Sequence, residues 1–123
     1  MRTLKINTIY RHWKHNPTGK YNNYIYCTMG VSTPIDNNNS YKTYAVLNAT
    51  RTDNNEYISI FLTDSGFIHF SSDFDKKLVV YVSLYSDAKP YVREVNEFLS
   101  EVPEGRDDEN IMGQKYRFEE LND

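Results

Sequence analysis

Residues Ile9 to His15, "IYRHWKH", combine aromatic and aliphatic side chains with side chains that are cationic or become so on protonation. Aromatic rings stack on bases and cations contact phosphates, so this composition is typical of contacts to single-stranded nucleic acid. The histidines His12 and His15 also supply two imidazoles for a metal ion or for acid–base chemistry. The plainest alternative is that the segment is only the first strand of a small barrel.

The two-residue period of a β-strand divides these side chains between two faces. Ile9 and Trp13 are predicted on one face and Tyr10, His12 and Lys14 on the other. We expect Ile9 and Trp13 to be buried. The opposite face is then the one that meets a partner or water.

The remaining candidates for chemistry are isolated. His12 and His15 converge only if the chain turns after Lys14, and no spacing ties them to Cys27 or His69. Cys27 lies in an apolar strand and is expected in the core. The pairs His12 with Asp87, and His69 with Asp64 or Asp73, would suit acid–base catalysis, but no known catalytic motif contains them. We therefore expect no enzyme, no metal ion and no other cofactor.

Length and composition indicate one small domain, residues 1–123, with many tyrosines. The chain has 123 residues, and its 11 Tyr and 6 Phe favour strands over helices. The single cysteine forms no internal disulfide, and the N-terminus lacks the apolar run of a signal peptide. No stretch approaches the roughly 20 apolar residues of a membrane helix. These features predict a soluble cytoplasmic protein without a membrane partner.

The net charge of −3 conceals an uneven distribution. Residues 1–35 carry five basic side chains, Lys20 among them, and no acid; residues 94–123 carry three bases and ten acids. This asymmetry is compatible with a nucleic-acid contact at the basic end, although the sequence pI of 5.6 argues against a strong one. We expect the two ends to pair with each other in the folded monomer or to face solvent.

Short alternating segments separated by turn residues predict a mainly β fold, a small SH3-like or similar partly open β-barrel of about six strands. The segments at residues 43–50, 56–63 and 67–71 are predicted to form a meander. The segment "LVVYVSLY" is predicted to be a central strand, because its side chains are apolar on both faces. Val92, Val95, Phe98, Leu99 and Val102 recur at helical spacing and predict one short C-terminal helix before Pro103. The charged residues 103–110 are predicted to form an acidic linker.

Five ordered blocks carry a resemblance to a known family: "YRHWK", "YCTMGV", "VVYVSLYSD", "YVREVNEFLSEV" and the later "RF". They resemble the consensus of a short bacterial family, domain of unknown function 1653 (DUF1653). The resemblance implies a compact β domain and no established reaction. Residues of about 38–75 have no counterpart in that consensus, so we interpret them as an inserted β meander that could carry a binding surface.

These observations predict a non-catalytic binding module that acts through a protein partner or, second, through nucleic acid or a nucleotide. The residues predicted to bind are Tyr10, Arg11, His12, Lys14, Tyr85 and Arg93. An alternative is a phage or mobile-element inhibitor of a host nucleic-acid-processing defence enzyme, acting by protein binding or acidic mimicry as an anti-CRISPR does. A small hydrolase is the least favoured alternative.

Overall fold

The structure is a computed structural model that describes residues 2–18, 24–85 and 88–121, so Lys20 and Asp87 lie outside the described residues. It contains eight strands and one helix in the described ranges. They are β1 (Ile9–His12), β2 (Ile25–Pro34), β3 (Thr43–Arg51), β4 (Tyr57–Thr63), β5 (Gly66–His69), β6 (Leu78–Ser83), β7 (Pro90–Glu94), α1 (Val95–Phe98) and β8 (Phe118–Glu120).

Six of the strands close into a barrel. The sheet order is β5-β4-β3-β7-β6-β2-β1-β8, and β5 also pairs with β2 through Ser32–Phe67 and Thr33–Ile68. That last pairing joins β2, β6, β7, β3, β4 and β5 in a ring. The predicted mainly β barrel of about six strands is confirmed, and it is closed where the sequence predicted a partly open one.

The predicted meander is an integral part of this ring. Strands β3, β4 and β5 pair in sequence order, as expected from the turn residues between them. β3 then joins β7 in parallel at Thr50–Tyr91, and β5 joins β2, so that both outer strands of the meander complete the barrel.

Strand β6 separates two apolar cores, which explains why its sequence is apolar on both faces. Leu78 and Val80 pack inside the ring with residues of β3, β4 and β7, including Ile60. Val79 and Tyr81 face the other way and pack with an aromatic cluster outside the ring. This second core is built from Tyr10, Tyr26, Val79, Tyr81, Phe98 and Phe118.

Strands β1 and β8 cover the second core and do not belong to the ring. β1 pairs with the first half of β2 through Tyr10–Tyr26, and β8 pairs with β1 through His12–Phe118. β8 is the edge strand of the sheet. The predicted helix is present but shorter, because Val92 pairs with Val80 in β7 and α1 contains only Val95–Phe98.

The predicted faces of β1 are reversed at its start. Tyr10 is 1% exposed in the second core, whereas Ile9 is 41% exposed. Alternation predicts which side chains share a face, but not which face meets the core. Here the C-terminal segment covers β1, and its Phe98 and Phe118 pack against Tyr10 in the second core. Trp13 follows the end of the strand, and it is buried as predicted.

The basic and acidic ends of the chain pair with each other, as expected. Nitrogen–oxygen distances are 3.2 Å between Lys5 and Glu120 and 3.7 Å between Arg11 and Glu119. Arg2 donates to two backbone carbonyls of the C-terminal part of the chain and lies over the ring of Tyr116. Charge that could have contacted phosphate is therefore largely engaged within the monomer. The described part of the chain contains no helix long and apolar enough to cross a membrane.

Candidate functional site

A cavity of about 270 Å³ opens beside the second core, on the face of β6 that points away from the ring. Six rings line it, and we call it the aromatic cavity: His12, Tyr24, Tyr26, Tyr81, Tyr91 and Phe118. Five further residues complete the lining: Lys14, Thr50, Thr52, Asn55 and Arg93. The site is therefore assembled from β1, β2, β3, β6, β7 and β8, together with the segments that follow β1, precede β2 and follow β3.

Strand register places the rings side by side. Tyr81 of β6 lies opposite Tyr91 of β7, and the two rings stack with centroids 5.8 Å apart. His12 lies opposite Phe118, with ring centroids 5.0 Å apart in an edge-on arrangement. His12 also stacks on Tyr24 at 5.3 Å. Because cross-strand neighbours hold every one of these rings except Tyr24, most of the cavity wall is fixed by the sheet.

Arg93 reaches the cavity from β7 and is largely buried, with 12% of its side chain exposed. One guanidinium nitrogen pairs with the Glu97 carboxylate, and the group lies 5.8 Å from the centroid of Phe118. Its Nε is buried and has no hydrogen-bond partner among the described residues. A buried N–H without an acceptor is costly and marks a place where an acceptor from a ligand would be stabilising.

The charged side chains that line the cavity are both positive, and Arg93 is paired with Glu97 outside the lining. Lys14 and Arg93 line it, and no Asp or Glu is found among the described lining residues. Lys14 pairs with Glu109 at 3.6 Å, but that carboxylate belongs to the predicted linker and is substantially exposed. An exposed pair of this kind contributes little and is readily exchanged. The cavity therefore favours an anionic ligand over a cationic one.

His12 is neutral at the pH of a cell. Burial, followed by the positive charges of Arg93, Lys14 and Arg117, lowers its pKa to about 3. Its Nδ1 accepts a hydrogen bond from the backbone N–H of Lys14 at 3.1 Å. Because the ring stays uncharged and is held in place, it serves as a wall of the cavity rather than as a cation.

The structure brings together only part of the predicted site. His12, Lys14 and Arg93 line the aromatic cavity. Tyr85 stands behind it, where its hydroxyl contacts that of Tyr26. The prediction that Tyr10 lies on a free face is wrong, because its ring fills the second core and its hydroxyl accepts from the backbone N–H of Lys5.

Arg11 also lies away from the cavity. Its side chain points to the other face of β1, donates to Gln114 Oε1 and pairs with Glu119. Alternation along β1 explains this separation from His12. Arg11 is therefore a useful control for Lys14, its cationic neighbour on the cavity side.

Several lining residues were missed from the sequence. Tyr24 and Tyr26 are two apart in "YIYC" and so share a strand face, which is a signal that could have paired them. Tyr91 and Phe118 join them only through long-range strand pairing. Their convergence has no local signature in the chain.

The other histidine and the cysteine do not extend the site. His69 is fully buried, where its ring nitrogens contact Ser32 Oγ at 2.7 Å and the Lys76 carbonyl at 3.1 Å. Cys27 is half-buried, so it is less enclosed than predicted. Within residues 2–18, 24–85 and 88–121, no group of three His, Cys, Asp or Glu side chains could hold a metal ion.

Residues 66–120 match the model of a family described as a protein of unknown function. That family is DUF1653. The resemblance inferred from the sequence is confirmed, and three of its blocks, at 79–87, 91–102 and 117–118, lie within the DUF1653 match. No curated protein and no solved structure matches the chain.

The DUF1653 match covers β5 to β8 and includes the lining residues Tyr81, Tyr91, Arg93 and Phe118. The lining residues from β1 and β2 precede it. The match also includes residues 66–75, the last part of the segment that the sequence analysis interpreted as an insertion. The cavity is thus formed between the DUF1653 region and the strands that precede it.

Proposed function

We propose that this protein is a non-catalytic binding module whose aromatic cavity takes a nucleobase, from a free nucleotide or from a nucleic-acid strand. The observation that carries the proposal is the lining itself: six rings and two cations, with no carboxylate among the described lining residues. Bases stack on aromatic side chains with a contribution of about 1–3 kcal/mol each. The cations suit the phosphate that accompanies every nucleotide.

The size of the cavity supports a single planar group. Pockets for drug-sized molecules are roughly 300–1,000 Å³, and this cavity is smaller, at about 270 Å³. A single base fits within it, whereas a longer ligand must continue outside. Partial exposure of Tyr24, Lys14 and Tyr91 leaves a path for that continuation.

The charge supports a base over the other common ligand of aromatic cages. Such cages also bind quaternary ammonium and methylated lysine groups through the ring faces. Those cations would meet the positive charges of Lys14 and Arg93. A planar ligand linked to an anion avoids that repulsion and keeps the stacking.

The test is titration of the purified protein with nucleoside monophosphates and with a short single-stranded oligonucleotide, followed by calorimetry. Tyr91→Ala removes a half-buried wall and should weaken binding about ten-fold or more. Tyr44→Ala removes an exposed tyrosine outside the cavity and should leave the affinity unchanged. Absence of binding to every nucleotide and oligonucleotide, or equal affinities of Tyr91→Ala and the parent protein, would overturn the proposal. Chemical conversion of the ligand would overturn its non-catalytic part.

A protein partner is the second candidate, because the meander carries exposed apolar side chains. Tyr44, Val46, Leu62 and Phe70 are all exposed, and Phe70 packs edge-on against Phe61. Val46 lies opposite Phe61 in the β3–β4 pair, so Val46 and Phe70 are neighbours, and adjacent exposed apolar groups are typical of protein interaction surfaces. An inhibitor of a host defence enzyme would use such a surface as well.

The protein candidate has a separate test. Val46→Ser together with Phe70→Ser should abolish capture of a protein partner from the native cell, in an affinity purification read by mass spectrometry. Tyr57→Ser serves as the matched control. It also removes an exposed aromatic side chain, but at the start of β4, away from Phe61 and Phe70. Capture that survives the double substitution would remove the meander surface from the interface.

A further inference from the structure

We infer that the aromatic cavity contains an anion subsite, in which Arg93 and Lys14 bind a phosphate attached to the base. The inference rests on the proposed function and adds the position and chemistry of a second recognition element. It assigns the ligand class as a phosphorylated nucleotide, in preference to a free base or a nucleoside. The phosphate belongs either to a free nucleotide or to a strand.

Arg93 carries the first part of the argument. Its guanidinium group is largely buried beside Phe118, where one nitrogen pairs with Glu97 and the Tyr81 hydroxyl is a further partner. The buried Nε–H has no acceptor among the described residues. A guanidinium has five donors in a planar fork that matches phosphate oxygens. An oxygen from a ligand would satisfy the donor that the described fold leaves unpaired.

A local excess of positive charge carries the second part. Arg117 donates to Ser100 Oγ, and burial followed by the charge of Arg93 lowers its pKa, which Glu97 opposes. Arg93, Arg117 and Lys14 also act together on the ring of His12. Like charges held close together in a partly buried site repel one another. An anion bound among them relieves that repulsion.

The third part of the argument concerns Glu109, because its carboxylate already forms an ion pair with one of the two cations, Lys14. Its carboxylate pairs with Lys14 at 3.6 Å and with Arg106, whose guanidinium lies 5.2 Å from the centroid of Trp13. The acidic segment thus places a carboxylate on a cation that lines the cavity. A ligand phosphate must compete with Glu109 for Lys14, so the segment lowers the affinity for the anion.

The experiment compares adenosine, adenosine monophosphate and a short oligonucleotide as ligands of the full chain, in the same low-salt buffer. Adenosine monophosphate should bind about ten- to hundred-fold more tightly than adenosine, the range expected for hydrogen bonds to a charged group. Arg93→Gln and, separately, Lys14→Gln should remove most of that difference. Arg11→Gln, which changes a cation outside the cavity, should preserve it.

The variant Glu109→Gln sharpens the test, because it should raise the affinity for the monophosphate without raising that for adenosine. Thermal melts establish whether each variant is folded. If Arg93→Gln does not fold, the comparison of Lys14→Gln with the parent protein decides the result. Equal affinities of adenosine and its monophosphate would overturn the anion subsite and leave the proposed function standing. Failure of all three ligands and of the other nucleoside monophosphates to bind would overturn both. Tighter binding of the oligonucleotide than of the monophosphate would support the subsite with its phosphate in a strand.

Discussion

The hydroxyl oxygens of Tyr26 and Tyr85 lie 2.8 Å apart, behind the aromatic cavity. Burial raises the pKa of both tyrosines, so both groups keep their protons and one donates to the other. Tyr26 is buried, whereas Tyr85 is partly exposed. Tyr85, predicted from the sequence to bind a partner, therefore supports a wall of the cavity.

Replacement of Tyr85 by Phe should destabilise the protein by about 1–3 kcal/mol, because it leaves the buried Tyr26 hydroxyl without this partner. Tyr26→Phe should cost less, because the Tyr85 hydroxyl retains access to solvent. The double variant should cost less than the sum of the two. Urea denaturation of the three variants and the parent measures these free energies. Strict additivity would show that the two hydroxyls are not coupled.

Gly30 provides a second prediction, because the ring of Phe67 packs directly on its backbone. A Cβ at Gly30 would lie 2.8 Å from Phe67 Cδ2 and 2.9 Å from Cε2. Gly30 also adjoins the bulge in β2, where the register with β6 shifts between Thr28 and Gly30. Gly30→Ala should therefore destabilise the barrel by about 1–3 kcal/mol through overpacking.

The control for Gly30→Ala is a second substitution, at Phe67, that removes part of the ring in conflict with the new Cβ. Phe67→Leu alone should also destabilise, because it shortens a side chain packed on the barrel core. In the Phe67→Leu background, Gly30→Ala should cost less than in the parent protein. Thermal unfolding of the four proteins tests this. If Gly30→Ala destabilises the Phe67→Leu protein as much as it destabilises the parent protein, the steric conflict is not with the Phe67 ring.

Trp13 provides the third prediction, and Ile9 provides its control. Both were expected in the core, but Trp13 is 2% exposed and Ile9 is 41% exposed. Trp13→Ala should reduce the free energy of unfolding by about 3–5 kcal/mol. Ile9→Ala should cost under about 1 kcal/mol, as surface substitutions usually do. Equal costs in a denaturant titration would contradict the observed reversal of the β1 faces.

The strands of the barrel were predictable because their signals are local. Alternation and turn residues predicted β3, β4 and β5, and the two apolar faces of "LVVYVSLY" predicted the central position of β6. The helix prediction was too long because Val92 shares the helical spacing while pairing with Val80 in β7. A long-range strand pair there overrides a local period.

The candidate site was only partly predictable because it depends on pairings distant in sequence. His12 and Lys14 were predicted from their own motif, and Arg93 from its place in the family block. Tyr24, Tyr91 and Phe118 join them through the register of β1, β7 and β8. The misplacement of Tyr10 has the same origin, because the C-terminal segment decides which face of β1 is covered.

His12 gives the fourth prediction, a loss of stability in mild acid. Its pKa is about 3 in the folded protein, mainly through burial, against a value of 6.5 for an unperturbed histidine. Between these two values the unfolded chain binds a proton that the folded protein does not. The free energy of unfolding therefore falls as the pH is lowered below 6.5, and the contribution of His12 is complete above it.

The predicted slope is about 1.4 kcal/mol for each pH unit below 6. His12→Asn keeps a hydrogen-bond acceptor near the position of Nδ1 but has no titrating ring, so it should lose this part of the pH dependence. The burial of His69 lowers its pKa as well and affects both proteins alike, so the difference between them isolates His12. Urea denaturation from pH 7.5 to 4.5 measures that difference, which should be constant above pH 7 and change steadily below 6. A His12 ring that titrates near 6.5 in an NMR experiment would contradict its burial and its role as a neutral wall of the aromatic cavity.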